Sequence, residues 1–170
     1  MKLIEAMKKI KANKAKITDL QKKIGSVCAN MSNETPVYGN DTSAKVAEWA
    51  QSCEDLTQEC IRLHCAIQTT NLATEVTIEI SGKPVTKSIA AWVLRRREYA
   101  QLDQQTWASI GDRNLREGHI QQSTGVIEVK IVRHYDPLIR DFKLGMYREE
   151  PYLIDATLEV INAITDLVGY

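Results

Sequence analysis

"MKLIEAMKKIKANKAKITDLQKKIGSV", residues 1–27, carries apolar side chains at a spacing of seven residues. One series of positions repeats every seven residues and a second lies three places later: Leu3, Ile10, Ile17 and Ile24, then Ala6, Asn13, Leu20 and Val27. A seam of this kind, kept over about four heptads, predicts a long helix that packs against another helix. Asn13 is the polar member of the seam. It either fixes the register of that packing or is an imperfect apolar position.

The same spacing returns in the next helical stretch. Its seam consists of Val46, Cys53, Cys60 and Ile67, with Trp49, Leu56 and Leu63 three places after the first three. Residues 30–43, "NMSNETPVYGNDTS", separate the two seams with turn-forming side chains. Two helices of similar length with a loop between them predict an antiparallel hairpin over residues 1–70. The flanks of this hairpin could also pack against another copy.

The period changes after residue 74. Residues 75–89 alternate apolar and polar side chains around a Ser81-Gly82 turn, which predicts a β-hairpin. Residues 126–135 alternate in the same way and predict a further strand.

Three more helices complete the predicted fold. One is expected from about Ser88 to Ile110, and Pro137 and Pro151 each suit the first turn of another. The sequence therefore predicts an α+β fold, mainly α, in a single domain of 170 residues. Its parts are a long N-terminal antiparallel helical hairpin (1–70) and a region with a small antiparallel β-sheet and three further helices (71–170).

Charge and hydropathy exclude several classes of partner. Lys+Arg and Asp+Glu number 22 each, so the chain lacks the basic excess of proteins that bind polymeric nucleic acid. No apolar run approaches the roughly 20 residues that cross a bilayer, and the N-terminus lacks the apolar core of a signal peptide. The four cysteines predict reduced thiols. We therefore expect a cytoplasmic protein with no membrane partner.

The sequence lacks the motifs of common catalytic sites. It contains no Gly-rich phosphate loop, no Gly-x-Ser-x-Gly elbow and no His-Glu-x-x-His pair. Cys60 and His64 lie four residues apart, but a second pair of metal ligands is missing. We predict no catalytic residue, no metal site and no cofactor, which lowers the expectation of an enzyme.

The helix "AAWVLRRREYAQLDQQTWASI", residues 90–110, carries the strongest functional signal. At about 100° per residue, one stripe of this helix combines aromatic, apolar and charged side chains: Ile89, Trp92, Arg96, Tyr99, Asp103, Trp107 and Ile110. Arg95 borders the stripe, whereas Arg97 points away from it. If the stripe packs inward, Arg96 and Asp103 need partners, because a buried unpaired charge is costly.

Three kinds of partner could meet these charges. The first is a structural ion pair with another element, such as Glu54 or Asp55 of the second helix. The second is a pair across an oligomer interface. The third is an anionic ligand held by Arg95 and Arg96 between aromatic rings, since the guanidinium fork binds phosphate at two points and stacks on bases.

Other polar residues are candidates for the same ligand. With Trp92, Arg95, Arg96, Tyr99 and Asp103, the predicted binding set comprises Thr70, Asn71 and Thr74 at the end of the second helix, Arg113 and Arg116 near the end of the next, and Arg133 on the last strand. Each has a structural alternative. The threonines and the asparagine could form a helix cap and turn, and the arginines could be solvated charges.

The order of several stretches resembles a family of small bacterial and phage proteins, some of which are labelled septicolysin. These stretches are "ETPVY", "AIQTTNLATEVTI", "VTKSIAAWVLRRR", "DRNLREG", "YDP" followed by "RDF", and "EPYLIDATLEVINAITDL". The label implies a cytolysin. The sequence has no long amphipathic or apolar insertion segment, so we do not carry that activity over. The resemblance supplies no catalytic residues.

The sequence supports three hypotheses of function. The first is a non-enzymatic homo-oligomer that binds and sequesters a small anionic ligand, a signalling nucleotide in particular. Because the resemblance reaches phages, this includes a sponge that acts against a host defence signal. The second is a structural or interaction protein that works through its coiled-coil hairpin. The third is an enzyme acting on a phosphorylated small molecule.

Overall fold

A computed structural model describes residues 1–169 of the chain. The helices are α1 (Leu3–Val27), α2 (Thr42–Ala73), α3 (Ile89–Leu94), α4 (Ala100–Ala108) and α5 (Pro137–Ile164), with a 3-10 turn at Gly39–Asp41 and a π-helical segment at Arg95–Tyr99. The strands are β1 (Glu75–Ile80), β2 (Lys83–Ser88), β3 (Gly118–Gln122) and β4 (Gly125–Val129). They form two antiparallel two-stranded sheets, β1-β2 and β3-β4. The fold is α+β and mainly α, as predicted.

The chain divides into two compact units. Unit 1 comprises Met1–Thr74 together with the chain from Glu159 onward, and unit 2 comprises Glu75–Leu158. The first boundary between the units, after Thr74, follows the end of α2. The heptad pattern does not predict that the C-terminal segment belongs to unit 1.

The two predicted seams pack against each other in unit 1. Every seam position of α1 and α2 is buried or half-buried. Asn13 is buried, and its Nδ2 donates to Glu59 Oε2 at 2.8 Å. Lys9 Nζ lies 2.6 Å from the other oxygen of the same carboxylate. The hairpin prediction is confirmed, and Asn13 fixes a point of register between the helices of one chain.

The C-terminal segment closes unit 1 by pairing with its first residues. The backbone N–H of Leu3 donates to the Thr165 carbonyl at 3.0 Å, and that of Leu167 donates to the Met1 carbonyl at 2.9 Å. The Leu167 side chain is buried. The N-terminus of α1 is therefore held by backbone that lies more than 150 residues away in sequence.

The first sheet of unit 2 forms as the alternating pattern predicts. Its strands pair from Glu75 opposite Ser88 to Ile80 opposite Lys83. Ser81 and Gly82, with φ of 50° and 75°, form a two-residue turn whose positive φ values suit a hairpin.

A second β-hairpin was not predicted. β3 and β4 pair from Gly118 opposite Val129 to Gln122 opposite Gly125, and all ten residues are exposed. Without a buried face, β3 shows no alternation of apolar and polar side chains. The strand predicted over residues 126–135 therefore has a partner, but it ends at Val129.

The helices predicted from Pro137 and Pro151 are one helix. α5 runs from Pro137 to Ile164 with Pro151 inside it. A proline removes one helical hydrogen bond. Here Glu150 and Ile154, on either side of it, are both buried. Packing on both sides of the proline keeps the helix continuous, so the predicted start of a separate helix at Pro151 is wrong. None of the helices of residues 1–169 is both long enough and apolar enough to cross a membrane.

Candidate functional site

The arginine helix is built around a change of helical type. Ser88 caps its start, because the Ser88 Oγ accepts from the Ala91 N–H at 3.2 Å. After α3, residues 95–99 adopt the π form, which takes an additional residue into the turn and rotates the next residues relative to an α-helical wheel. Arg95, at the start of the segment, is half-buried, and the rotation brings Ala100 inward, whereas Arg96 and Tyr99 are exposed. The predicted stripe is thus wrong within the π segment and correct at Trp92, which is buried, and at Asp103, which is half-buried.

Arg95 is held by two carboxylates. Its Nε and Nη2 donate to Glu150 Oε1 and Oε2 at 2.8 and 2.6 Å, and its Nη1 donates to Asp103 Oδ2 at 2.6 Å. The Glu150 side chain is only 4% exposed. The hydrogen bonds that Arg95 donates to Glu150 raise the pKa of Arg95 above its already high value, so the guanidinium stays charged.

An aromatic ring completes the environment of this ion pair. The Arg95 guanidinium carbon lies 5.7 Å from the centroid of the Tyr147 ring, a cation–π distance. Lys143 Nζ lies 6.0 Å from the same ring. Burial raises the pKa of the Tyr147 hydroxyl above its ordinary value. Tyr147 therefore stays neutral near pH 7.

The triad of Arg95, Asp103 and Glu150 lies beside a cavity of about 300 Å³, here called the Arg95 cavity. It is lined by Ile80, Lys83, Val85, Lys87, Trp92, Arg95, Asp103, Met146, Tyr147 and Glu150. Lys83, Val85 and Lys87 are alternate residues of β2 and so share one face of the sheet. All of the lining residues belong to unit 2.

Two lysines supply the free positive charge of this cavity. Neither Lys83 nor Lys87 makes an ion pair with a carboxylate of residues 1–169, although Lys87 Nζ lies 5.9 Å from the Trp92 ring centroid. Arg95, Glu150 and Asp103 together carry one net negative charge. The cavity can thus offer ammonium groups to an anion and the half-exposed carboxylate of Asp103 to a hydrogen-bond donor.

Arg96 and Tyr99 do not line the cavity. Arg96 Nη1 forms an ion pair with the carboxylate of Asp155 on α5, and both side chains are exposed. The partners suggested for the stripe, Glu54 and Asp55, belong to unit 1 and pair with neither arginine. Each arginine instead has a partner on α5, Glu150 for Arg95 and Asp155 for Arg96, and Arg95 also pairs with Asp103 of α4.

Thr70, Asn71 and Thr74 lie at the end of α2 in unit 1. The Thr70 hydroxyl donates to the Ala66 carbonyl at 2.7 Å and accepts from the Val168 N–H at 2.9 Å. Thr74 is the C-cap residue of α2. Asn71 Oδ1 is buried and has no hydrogen-bond partner within the described residues. The two threonines thus have structural roles.

The three remaining arginines lie outside the cavity. Arg113 is exposed and occupies a turn with φ of 53°, and Arg116 is exposed as well. Arg133 donates from Nε and Nη2 to the two oxygens of Asp112 at 2.8 and 2.6 Å. The Tyr135 hydroxyl donates to the same carboxylate at 2.7 Å. These bonds, with Arg133 contributing most, lower the pKa of Asp112 to about 2.

Sequence reasoning missed four polar residues of the cavity, Lys83, Lys87, Tyr147 and Glu150, and three apolar ones, Ile80, Val85 and Met146. The two lysines have a detectable signal, since they flank Val85 at the two-residue period of a strand. Glu150 has none, because Glu-Pro is typical of a helix start. No cluster of three or more His, Cys, Asp or Glu side chains suited to a metal ion occurs within residues 1–169.

Comparison with known proteins gives a fold relationship. No family model matches the chain, and no curated protein matches it. Among solved structures, the chain is similar to the crystal structure of a functionally unknown conserved protein from Corynebacterium diphtheriae. The two share 20% sequence identity over 99% of each chain, with a TM-score of 0.57. At this identity the similarity establishes a shared fold alone.

Proposed function

We propose that the protein binds a small anionic ligand of nucleotide type in the Arg95 cavity and sequesters it without converting it. The observation that carries this proposal is the pair of lysines on one face of β2, Lys83 and Lys87, which border the cavity without a carboxylate partner in residues 1–169. A cavity of about 300 Å³ is at the lower end of the range of small-molecule sites.

The lining side chains favour a ligand with two chemically different ends. A phosphate would be bound by the lysine ammonium groups, which act as strong charged donors. Asp103 would accept hydrogen bonds from ribose hydroxyls or a base amino group. The half-buried ring of Tyr147 supplies apolar and stacking surface between these ends. In this arrangement Arg95 positions Asp103 and Tyr147, since Glu150 occupies much of its fork.

Sequestration is our preferred outcome of binding. The sequence has no catalytic motif, and the titratable cavity residues Arg95 and Glu150 are locked in an ion pair. The phage side of the septicolysin resemblance motivates the specific proposal of an anti-defence sponge for a host signalling nucleotide. We further propose a cytoplasmic homo-oligomer with no polymeric nucleic acid or membrane partner.

Calorimetric titration and thermal unfolding with cyclic dinucleotides, ADP-ribose and inorganic phosphate test the proposal. At least one nucleotide should bind, raise the unfolding temperature, and be recovered intact after the protein is denatured. Recovery of a converted product would identify an enzyme instead.

Matched variants locate the site. Lys83→Gln with Lys87→Gln should weaken binding at least tenfold, because both ammonium groups are lost. Lys11→Gln, which removes an exposed lysine of α1, should leave binding unchanged. No binding by any of these probes, or equal binding by both variants, contradicts the proposal.

A further inference from the structure

α5 has an apolar seam on the side opposite its core face. Its core side buries Glu150, Ile154 and Leu158. Its outer side carries residues at alternating spacings of four and three: Leu138, Phe142, Gly145, Glu149, Tyr152 and Ala156. This spacing is that of the a and d positions of a coiled coil, and it extends for roughly 27 Å.

The outer seam is open along its length. Leu138, Phe142 and Tyr152 are 80%, 58% and 75% exposed. A Cβ placed on Gly145 would meet no atom within 4 Å. Ile139 and Leu153 flank the seam and are also exposed. Large apolar side chains in a seam of helical period indicate a surface that another helix covers.

We propose that this seam pairs with the same seam of a second copy of the chain, in antiparallel orientation about a two-fold axis through Tyr147. In this pairing a large side chain faces a small one at two levels of the seam, and two aromatic rings face each other at the third. Leu138 faces Ala156, the ring of Phe142 faces that of Tyr152, and Gly145 faces Glu149. A two-fold interface must be complementary to itself, and this order of residues meets that condition.

The charges next to the seam favour the same pairing. Asp141 and Asp155 are already neutralised within their own chain, by Arg140 and Arg96. Arg148 and Glu149 are exposed, and neither makes an ion pair within residues 1–169. Around the two-fold axis, Arg148 of one copy and Glu149 of the other lie roughly 4.5 Å apart along the helix direction. Two symmetric ion pairs then form at the centre of the interface.

The area is sufficient for a specific dimer. The exposed parts of the seam and of its two flanking residues amount, over both copies, to on the order of 1,200 Å², the lower limit for a stable interface. The proposal is independent of ligand binding in the Arg95 cavity.

Charge reversal tests this arrangement. Light scattering after size exclusion should find a dimer for the unmodified chain. Arg148→Glu and Glu149→Arg should each weaken the dimer at least tenfold, because each places like charges together across the axis. The double variant R148E/E149R should restore dimerisation to within about threefold, since exchanged charges pair again.

A matched control and a fold check complete the experiment. Arg97→Glu, the same reversal on an exposed side chain of the π segment, should leave the dimer intact. Circular dichroism identifies any variant that fails to fold. In that case the Phe142→Asp variant is measured instead, and it should weaken the dimer as well. A monomer at 100 µM, a dimer insensitive to the single reversals, or no rescue in the double variant would overturn the proposal.

Discussion

Glu150 is a carboxylate with 3% of its surface exposed, and its charge is met by the guanidinium of Arg95. Desolvation of both groups offsets much of their attraction, so the pair as a whole adds little stability. Removing one partner is different, because it leaves the other charge in a partly buried position without compensation. The same carboxylate fixes the guanidinium against Tyr147 and so shapes the wall of the Arg95 cavity.

Glu150→Ala should lower the free energy of unfolding by about 3 kcal/mol, the range for breaking a buried ion pair. Asp155→Ala is the matched control, because it removes the carboxylate of the exposed Arg96 pair, and it should cost less than about 1 kcal/mol. Urea unfolding followed by circular dichroism gives both values. Equal losses in the two variants would show that Arg95 does not depend on Glu150.

The Asp112 carboxyl should titrate far below an ordinary aspartate. Its pKa of about 2 lies below the usual 3.8 because Arg133 and Tyr135 stabilise the charged form. The interaction is therefore fully present above pH 3.8 and is lost as the pH falls through about 2. Arg133→Gln should move the pKa back towards 3.8. Carbon NMR of the carboxyl group measures both values, and an unmodified protein titrating near 3.8 would contradict the observed pairing.

At the scale of elements, the period of apolar residues accounts for the predictable part of the fold. The seams that begin at Leu3 and Val46 predict the hairpin, since each seam buries against the other. The Ser81-Gly82 turn predicts the first sheet. β3 escapes prediction because nothing packs on either face of its hairpin. The sequence predicts only part of the site. The helical wheel places Trp92 and Asp103 on the stripe and Arg95 at its border, whereas Glu150 and Tyr147 reach the site through long-range packing of α5.

The π segment explains why the wheel fails at Arg96. A uniform angle per residue cannot represent a turn that takes in an extra residue. The local pattern of apolar and polar residues does not predict such a turn, because the position of the turn depends on contacts with residues that are distant in sequence. Here the ion pair with Glu150 holds Arg95 on the inward side of the helix, and the methyl group of Ala100 fills the core position after the turn.

Deleting Arg97 tests the need for the additional residue. The deletion removes the additional residue, so the segment should become a regular α-helix in which Asp103 lies seven places after Arg95 and stays on the same side of the helix. The unfolding temperature of the deletion variant should therefore stay close to that of Arg97→Ala. Arg97→Ala keeps the chain length and changes only an exposed side chain, so its effect on stability should fall within about 0.5 kcal/mol. Thermal unfolding compares the two variants. A deletion variant clearly less stable than Arg97→Ala would contradict this expectation and would mean that the π form itself is required for stability.

At the scale of the whole molecule, unit 1 depends on residues from both ends of the sequence. Leu167 inserts a buried side chain where the C-terminal segment pairs with Met1, and no periodicity indicates this pairing. The segment after Ile164 is too short for a pattern to be read from it. Long-range pairing of this kind is invisible to arguments based on local spacing.

Leu167→Ala should destabilise the protein by about 2–5 kcal/mol, because it removes buried methyl groups and leaves a cavity. Val168→Ala, at an exposed neighbouring position, should change the free energy of unfolding by no more than about 0.5 kcal/mol. Chemical unfolding of the two variants provides the comparison. Similar small effects would show that the C-terminal segment does not hold unit 1 together.

The pairing of the first and last segments also bears on the order of folding. Lys2 Nζ bonds the Asp166 carboxylate at 2.7 Å, and the two residues are 164 positions apart. Such a contact requires closure of a loop that contains nearly the whole chain, and the entropy of closure rises with loop length. The hairpin of α1 and α2 involves shorter loops and can form first. The pairing of the first and last segments therefore belongs to the late steps of folding. A circular permutant that joined these segments directly would turn this long-range contact into a local one.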